Sequence, residues 1–455
     1  MKKSTKDSQK SNLKIKFTKK LMTAYGGFYL LGRLFDSLKL KENLESIFPA
    51  KEESNNGTGI YSKLLSYGLT VIAGGKRFAH TMYLGESREV YEEIFGVAKM
   101  VKSYSAITRL FDKVDSWSQS EKLAEGLWEY TFKMIPENKN VYDWLTFDST
   151  VLTKYGEQQG AKKGYNPKKK GIPSHHPLLA FLNTQEYVVN YWNRAGNASS
   201  GENIVDFANQ TLIRLGDKVK LRGSIADTGF YDVKFFELLE NKKLEYIIGV
   251  PMFQILQKEI HKISNWTKID TGLDSGEFKF CHKDEKWTTE RRYVVIRRDT
   301  TKIDAKHGKQ LSLFANDVSM RDYKYSIYIT NLDDSPEKVW KQYRLRANDE
   351  NIIKETKYDF ALEGFSKDNF WSTEAAMLLR IFFFNIINLF RKEILPSNES
   401  NETLHTLRFK YLCIPAVLGT DARASILRLG IRSLKLKSKF KYALNHIDVV
   451  FPEPI

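Results

Sequence analysis

The spacing of apolar residues divides this chain into a helical first third and an alternating remainder. From about residue 23 to residue 133, apolar positions recur every three or four residues, in AYGGFYLLGRLFDSL, KENLESIF, YSKLLSYGLTVIAGG, EVYEEIF and SQSEKLAEGLWEYTFKMI. That period lines one side of a helix and predicts an all-helical unit of five to seven helices. The texture changes near Asn140. VYDWLTFDSTVL, HPLLAFLNT and YVVNYWNR read as strands, ENIVDFANQTLIRL as an amphipathic helix, KVKLRGSIAD as a strand, YDVKFFELLENKK as a helix and LEYIIGVPM as a strand. The order β-β-β-α-β-α-β predicts a layered α/β unit.

Beyond Pro251 come short strands with turns, TKIDTG, EFKFCHK, RRYVVIRRD and KQLSLFAND, which predict a β-rich insertion, and then the strand YKYSIYITNL. Residues 335–360, SPEKVWKQYRLRANDENIIKETKYDF, open with Ser335, Pro336 and Glu337, a cap, a first-turn proline and a first-turn acid. No breaker follows before Asp359, so one long helix is predicted. WSTEAAMLLRIFFFNIINLFRKEI is apolar nearly all round and predicts a buried helix. Residues 13–17 and 434–442 alternate apolar and basic side chains, the pattern of a strand with one cationic face. Residues 1–12 are polar and lysine-rich, and disorder is expected there.

The predicted fold class is therefore α/β: a ribonuclease-H-like mixed sheet flanked by helices, with an N-terminal all-helical domain and a β-rich insertion. The expected divisions are a basic arm over 1–22, a helical domain for DNA binding or dimerisation over 23–139 and a first core segment over 140–250. The insertion then covers 251–322, a second core segment 323–395 and a basic C-terminal region 396–455.

Charge narrows the class of partner. The 455 residues carry 71 Lys and Arg against 55 Asp and Glu, a net charge of +16. That excess favours a polyanion, nucleic acid before an anionic membrane surface. The two cysteines, Cys281 and Cys413, lie far apart without CxxC spacing, which excludes a disulfide scaffold and a cysteine zinc site. No signal-peptide pattern is present, and the apolar run 376–390 carries Arg380 and two asparagines. A soluble cytosolic protein without a membrane partner is expected. There is no glycine-rich phosphate loop, no Ser-His-Asp arrangement and no context for a cysteine nucleophile.

Three carboxylates stand out. Asp148 lies in TFDST at the exit of the first predicted strand, and Asp227 in IADTGF at the exit of the fourth. If those strands are neighbours, the two exits lie side by side. An aspartate in an apolar strand is costly unless paired or coordinated. Glu350 lies on the long helix, where Tyr343, Arg346, Glu350 and Lys357 fall within about 60° of arc at roughly 100° per residue. A solvated helix face carries such residues too. With the two aspartates, however, Glu350 completes an all-oxygen set suited to Mg²⁺ or Mn²⁺. Such a set holds two ions about 4 Å apart that act on a phosphodiester. Softer candidates for DNA contact are Lys162, Lys163, Lys168, Lys169 and Lys170 around Tyr165, and Arg291, Arg292, Arg297 and Arg298 with Trp266 and Trp287 in the insertion. His175 and His176 are adjacent before a strand and point opposite ways, which argues against a zinc pair.

These residues reach a family. The chain resembles DDE transposases of bacterial insertion sequences, in the group with the signature Tyr-x2-Arg-x3-Glu-x6-Lys, matched by Tyr343, Arg346, Glu350 and Lys357. Asp148 with Thr150 resembles the family's first-strand Asp-x-Thr, and Asp227 with Gly229 and Phe230 its Asp-x-Gly-Phe. GYNP followed by HHP in residues 164–177 is similar to one subgroup. The resemblance implies Asp148, Asp227 and Glu350 as catalytic ligands of two Mg²⁺ (or Mn²⁺) ions. It implies Tyr343, Arg346 and Lys357 as contacts to DNA phosphates; Lys168, Lys169, Lys170, Arg291 and Arg292 stay further candidate DNA contacts on their charge alone. The implied function is cleavage at inverted repeats and strand transfer to target DNA by a homodimer on double-stranded DNA, at the nucleoid of a bacterial cytoplasm. The alternatives are a metal-dependent nuclease of the same fold without transposition, and a catalytically idle DNA-binding regulator.

Overall fold

The computed structural model describes residues 13–51, 57–136, 142–167, 169–283, 287–301, 322–422 and 424–452. A two-residue strand β1 (Met22–Thr23) precedes helices α1 (Phe28–Ser37), α2 (Leu40–Ile47), α3 (Ile60–Ile72), α4 (Thr81–Gly85), α5 (Arg88–Phe95), α6 (Ser105–Asp112) and α7 (Trp117–Met134). The α/β part follows with β2 (Asp143–Ser149), β3 (Leu152–Thr153), β4 (Ser174–His175), β5 (Leu178–Leu182), β6 (Tyr187–Trp192), α8 (Ile204–Leu215), β7 (Leu221–Ala226), α9 (Val233–Asn241) and β8 (Glu245–Val250). Next come α10 (Gln254–His261), β9 (Thr267–Asp270), β10 (Leu273–Phe280), β11 (Arg291–Asp299), β12 (Tyr323–Thr330), α11 (Pro336–Tyr343), α12 (Ala347–Tyr358) and α13 (Phe370–Leu389). The chain ends with α14 (Leu404–Leu407), a hairpin of β13 (Ala416–Asp421) and β14 (Ala424–Leu429), and α15 (Leu434–Val450).

Nine strands form one mixed sheet in the order β6-β5-β2-β7-β8-β12-β11-β10-β9. Strand β2 pairs antiparallel with β5 and parallel with β7, and β7 pairs parallel with β8. The central strands are apolar at nearly every position because both faces are covered. Phe147 packs on Phe207 of α8 and Phe235 of α9. On the opposite face Trp144, Ile225, Ile247 and Val294 pack with Val339 of α11. Helix α13 lies between the sheet and the N-terminal helices, with Ala375 to Leu389 buried throughout. Its Asn385 accepts from the Val188 N–H (3.0 Å) and donates to the Val188 carbonyl (2.8 Å), which closes the open edge of β6. Phe370–Ile394 is long and apolar enough to cross a membrane, but its most apolar stretch is buried inside the protein.

Four expectations are corrected. Residues 13–17 form no strand; Ile15 and Phe17 stand 83% and 100% exposed. Residues 434–442 are not a strand but the first half of α15. The alternation there is local, while the buried positions Phe440, Ala443 and Ile447 recur at helical spacing, and Ser433 caps the helix through the Leu436 N–H. The run 335–360 is not one helix: a 3-10 turn over Arg344–Arg346 separates α11 from α12. The strands expected as an insertion do not stand apart, because β9, β10 and β11 extend the central sheet through β12, and α10 precedes them. The predicted strand over 309–317 lies outside the described residues, as do residues 1–12.

Candidate active site

Asp148 and Asp227 are brought together by strand order. Parallel pairing sets Phe147 beside Ala226, so each aspartate stands at the carboxyl end of adjacent strands. Asp148 closes β2 and its Oδ1 accepts from the Ser149 N–H (2.7 Å). Asp227 caps the 3-10 turn Thr228–Phe230, with Oδ1 accepting from the Gly229 N–H (2.7 Å). The free Oδ2 atoms of both face one group, Nη2 of Arg346, 3.4 Å from each. Burial pushes the Asp148 carboxyl up to about 6. The Arg346 guanidinium pulls it down, and the charges of Asp227 and then Glu350 add to the rise.

Glu350 does not join them. Its carboxylate is 60% exposed and lies 3.8 Å from the Lys354 ammonium one turn on. Among the described residues no three His, Cys, Asp or Glu side chains stand together closely enough to share an ion. The reason is electrostatic: three carboxylates converging around a single guanidinium would leave net negative charge in a partly buried site. Glu350 lies instead on the wall of a cleft of about 400 Å³ beside the pair, with Arg298, Arg344, Tyr328, Trp340 and Tyr343.

The other signature residues lie around this point. The Tyr343 ring packs on Tyr328 at 4.4 Å, and burial pushes its phenol well above the usual range, so it stays protonated. Gly249 of β8 makes room for it: a Cβ there would sit 3.1 Å from the Tyr343 hydroxyl and 3.0 Å from the Thr228 N–H nitrogen. Lys357 reaches the loop just after Asp148. Its ammonium donates to the Val151 carbonyl (2.7 Å) and lies 3.4 Å from both Thr150 Oγ1 and a Glu363 carboxylate oxygen.

Three residues at the site escaped the sequence reading. Asp349 is fully buried; its Oδ1 accepts from Thr146 Oγ1 (2.8 Å) and Asn183 Nδ2 (3.3 Å), and burial pushes it up to about 7 against the Thr146 hydrogen bond. The only signal was an acid directly before Glu350, which reads as first-turn helix chemistry. Thr146 shares a strand face with Asp148, two residues away. Asn183 also donates to the Leu345 carbonyl (2.9 Å), inside the turn that carries Arg346.

The softer candidates fare unevenly. Arg291 is corrected: it is buried, forks onto both Glu240 oxygens (2.8 and 2.9 Å) and lies over Trp287, so it faces the core and not DNA. Arg292 is likewise tied within the sheet, to Glu277 Oε2 (2.9 Å) and the Asp334 carbonyl (2.8 Å). Trp287 packs against His282 at 4.7 Å, and Trp266 lies under Arg297 at 4.1 Å. Lys169 and Lys170 are exposed, with the Lys169 ammonium 4.9 Å from the Tyr155 ring; Lys168 lies outside the described residues. The histidines are buried apart. His175 Nε2 donates to the Gln159 carbonyl (3.1 Å), and His176 bonds the Ala198 carbonyl (2.7 Å) and Ser149 Oγ (3.1 Å).

Two of the three expected carboxylates, Asp148 and Asp227, stand together as oxygen donors for a divalent cation. Two carboxylate oxygens on rigid strand ends converge on a point already filled by a positive charge, and hard oxygen ligands suit Mg²⁺ or Mn²⁺. A family model described as transposase DDE domain group 1 matches residues 5–450. Among solved structures, a cryo-EM structure of the piggyBac transposase synaptic complex with hairpin DNA is similar, at 12% identity and a TM-score of 0.44, covering 95% of this chain and 83% of that chain. No curated protein sequence matches.

Proposed function

The chain belongs to the transposase family with the group 1 DDE domain, and from that premise we propose that it cuts DNA at the inverted repeats of a bacterial insertion sequence and joins the ends to target DNA. The observation that carries this reading is the convergence of Asp148 and Asp227, from neighbouring parallel strands, on one cationic point. Asp148 and Asp227 would hold the first of two Mg²⁺ or Mn²⁺ ions, and Glu350, one turn beyond Arg346, would swing in from the cleft wall to complete the set. When bound, such ions neutralise charge on the reacting phosphate and activate the attacking oxygen. The chain's own part is to place and balance. The strand ends fix the two carboxylates, Arg346 and Lys357 add positive charge near the phosphate, and the protonated Tyr343 hydroxyl donates at the cleft mouth. A ribonuclease-H-like core is consistent with the run β6-β5-β2-β7-β8, antiparallel then parallel. A cut-and-paste pathway, a homodimer bridging two ends and a place at the bacterial nucleoid belong to the same reading.

The test is a strand-transfer assay with pre-cut ends and Mg²⁺, comparing the unaltered protein with Asp148→Ala and Glu350→Gln. Joining should be lost in both, and retained joining in Asp148→Ala would sink the assignment. A nuclease without transposition would cut but never join a second duplex. One observation favours the idle regulator: Glu350 stands away from the aspartates and Arg346 fills their gap. That reading requires repeat binding without any Mg²⁺ isotherm in calorimetry.

A further inference from the structure

Arg346 makes an ion contact unlike those of the buried Arg291 and Arg391. Arg291 and Arg391 approach their carboxylates at 2.8 to 2.9 Å with well-aimed nitrogens. Arg346 offers a single nitrogen to two acids, 3.4 Å from each. Among the described residues its buried Nε has no hydrogen-bond partner, as is true also of Arg291 Nη1 and Arg380 Nη2. One turn on, Asp349 presents the matching vacancy: Oδ1 is held by Thr146 and Asn183, while the buried Oδ2 has no partner among the described residues. An orphaned charged donor and an orphaned charged acceptor are each costly in a protein interior. Here they belong to side chains at i and i+3, which are neighbours on a helical turn, and each feels the other's charge. Asn183 holds both sides of this arrangement, through Asp349 Oδ1 and through the Leu345 carbonyl of the 3-10 turn.

We propose that Arg346 is a movable stand-in cation. It closes the Asp148–Asp227 pair while the site holds no metal, and it shifts back onto Asp349 Oδ2, keeping its charge beside the phosphate position, when a divalent ion takes its place. Asp349 is then a positioning residue: it touches neither metal nor DNA, and it receives the displaced guanidinium so that the ion need not compete with an unplaced buried charge. The arrangement rests on the metal site proposed above. It also explains why a buried acid stands directly behind the Glu350 position with half its hydrogen-bonding capacity unused.

The experiment is calorimetric titration of the DNA-free protein with Mn²⁺ alone, for the unaltered chain, Arg346→Gln, Asp349→Asn, the double variant and Asp148→Asn. Removing the competing cation should tighten Mn²⁺ binding, about three- to tenfold for Arg346→Gln, because the apparent affinity is reduced by the fraction of molecules with an open site. Asp349→Asn should weaken binding by a similar factor, and that weakening should vanish when Arg346 is already Gln. An arginine that merely held the two carboxylates in place for the ion would give the opposite sign for Arg346→Gln. A second measurement needs only the native protein, with the Arg346→Gln spectrum serving for assignment. In selectively ¹⁵N-arginine-labelled protein, the Arg346 Nε–H signal should shift and gain protection from exchange when Mg²⁺ is added. Equal or weaker Mn²⁺ binding by Arg346→Gln, or an unmoved Nε–H signal on Mg²⁺ saturation, overturns the proposal while leaving an Asp148-dependent site standing. Mn²⁺ binding indifferent to Asp148→Asn overturns both this proposal and the metal site.

Discussion

Helix α12 is anchored at two ion contacts of opposite character. At its C-terminal half Glu355 is clamped by Arg391, whose Nη1 donates to both carboxylate oxygens (2.9 and 2.8 Å), while the Leu404 N–H donates to Oε1 (2.8 Å). Asn388 holds the Arg391 Nε at 2.9 Å, and the pair is only 5% and 7% exposed. At the N-terminal end Arg346 reaches two acids at 3.4 Å with its Nε unmet. The fully satisfied pair fixes the helix. The half-satisfied one lies at the proposed metal site. Within one helix, the quality of hydrogen bonding sets the contact that builds the fold apart from the contact proposed to exchange.

The comparison can be broken most decisively through activity. Asp227→Asn should reduce strand transfer on the order of 10²- to 10³-fold, the loss typical of removing one preorganised charged group, with little change in thermal stability. The clamp should behave in the reverse way. Arg391→Met strands Glu355 in the interior and should cost about 3–5 kcal/mol in denaturant unfolding, whereas Glu355→Leu together with Arg391→Met should recover most of it. If the double change is no better than the single one, the clamp is not an isolated pair.

Acid tests the wall behind Asp148. His175, on β4 against β3, is fully buried, and burial pushes its imidazole down to about 4 from the ordinary 6.5. The unfolded chain therefore takes up the proton first as pH falls. This contribution is intact above pH 6.5 and drains away toward pH 4, a loss on the order of 3 kcal/mol. His175→Phe should flatten that part of the stability profile, and hydrogen exchange should rise in β3 and β4 before it rises in α12. The smallest effect is expected at Lys354→Ala. Its ion pair with Glu350 is 3.8 Å long and more than half exposed on both sides, so stability should stay within about 0.5 kcal/mol.

Much of this molecule was legible in its sequence, for identifiable reasons. Strands β2, β5, β6, β7 and β8 and the helices between them are buried on one or two faces, so their apolar patterns are strong, and the strand exits at Asp148 and Asp227 could be placed side by side. Long-range pairing was not legible. The strands after Pro251 looked like a separate unit because nothing local says that β12 inserts between β8 and β11. The lysine alternation of 435–441 was mistaken for a strand because its helical anchors, Ala443 and Ile447, lie beyond the alternating stretch. Arg291 was read as a DNA contact because its partner Glu240 is 51 residues away. Asp349 was hidden for the same reason: Thr146 and Asn183 meet it only after folding.

The claim that Asp148 and Asp227 form a divalent-metal site is tested most directly by replacing Mg²⁺ with Fe²⁺ and mapping where the backbone is cut by the radicals generated at the bound ion. The expected result is scission confined to the strand ends around residues 148 and 227, with a further cut near 350 once repeat DNA is bound, all abolished by excess Mg²⁺ and by Asp148→Asn. Cuts that spare both strand ends, or that persist in Asp148→Asn, would contradict it.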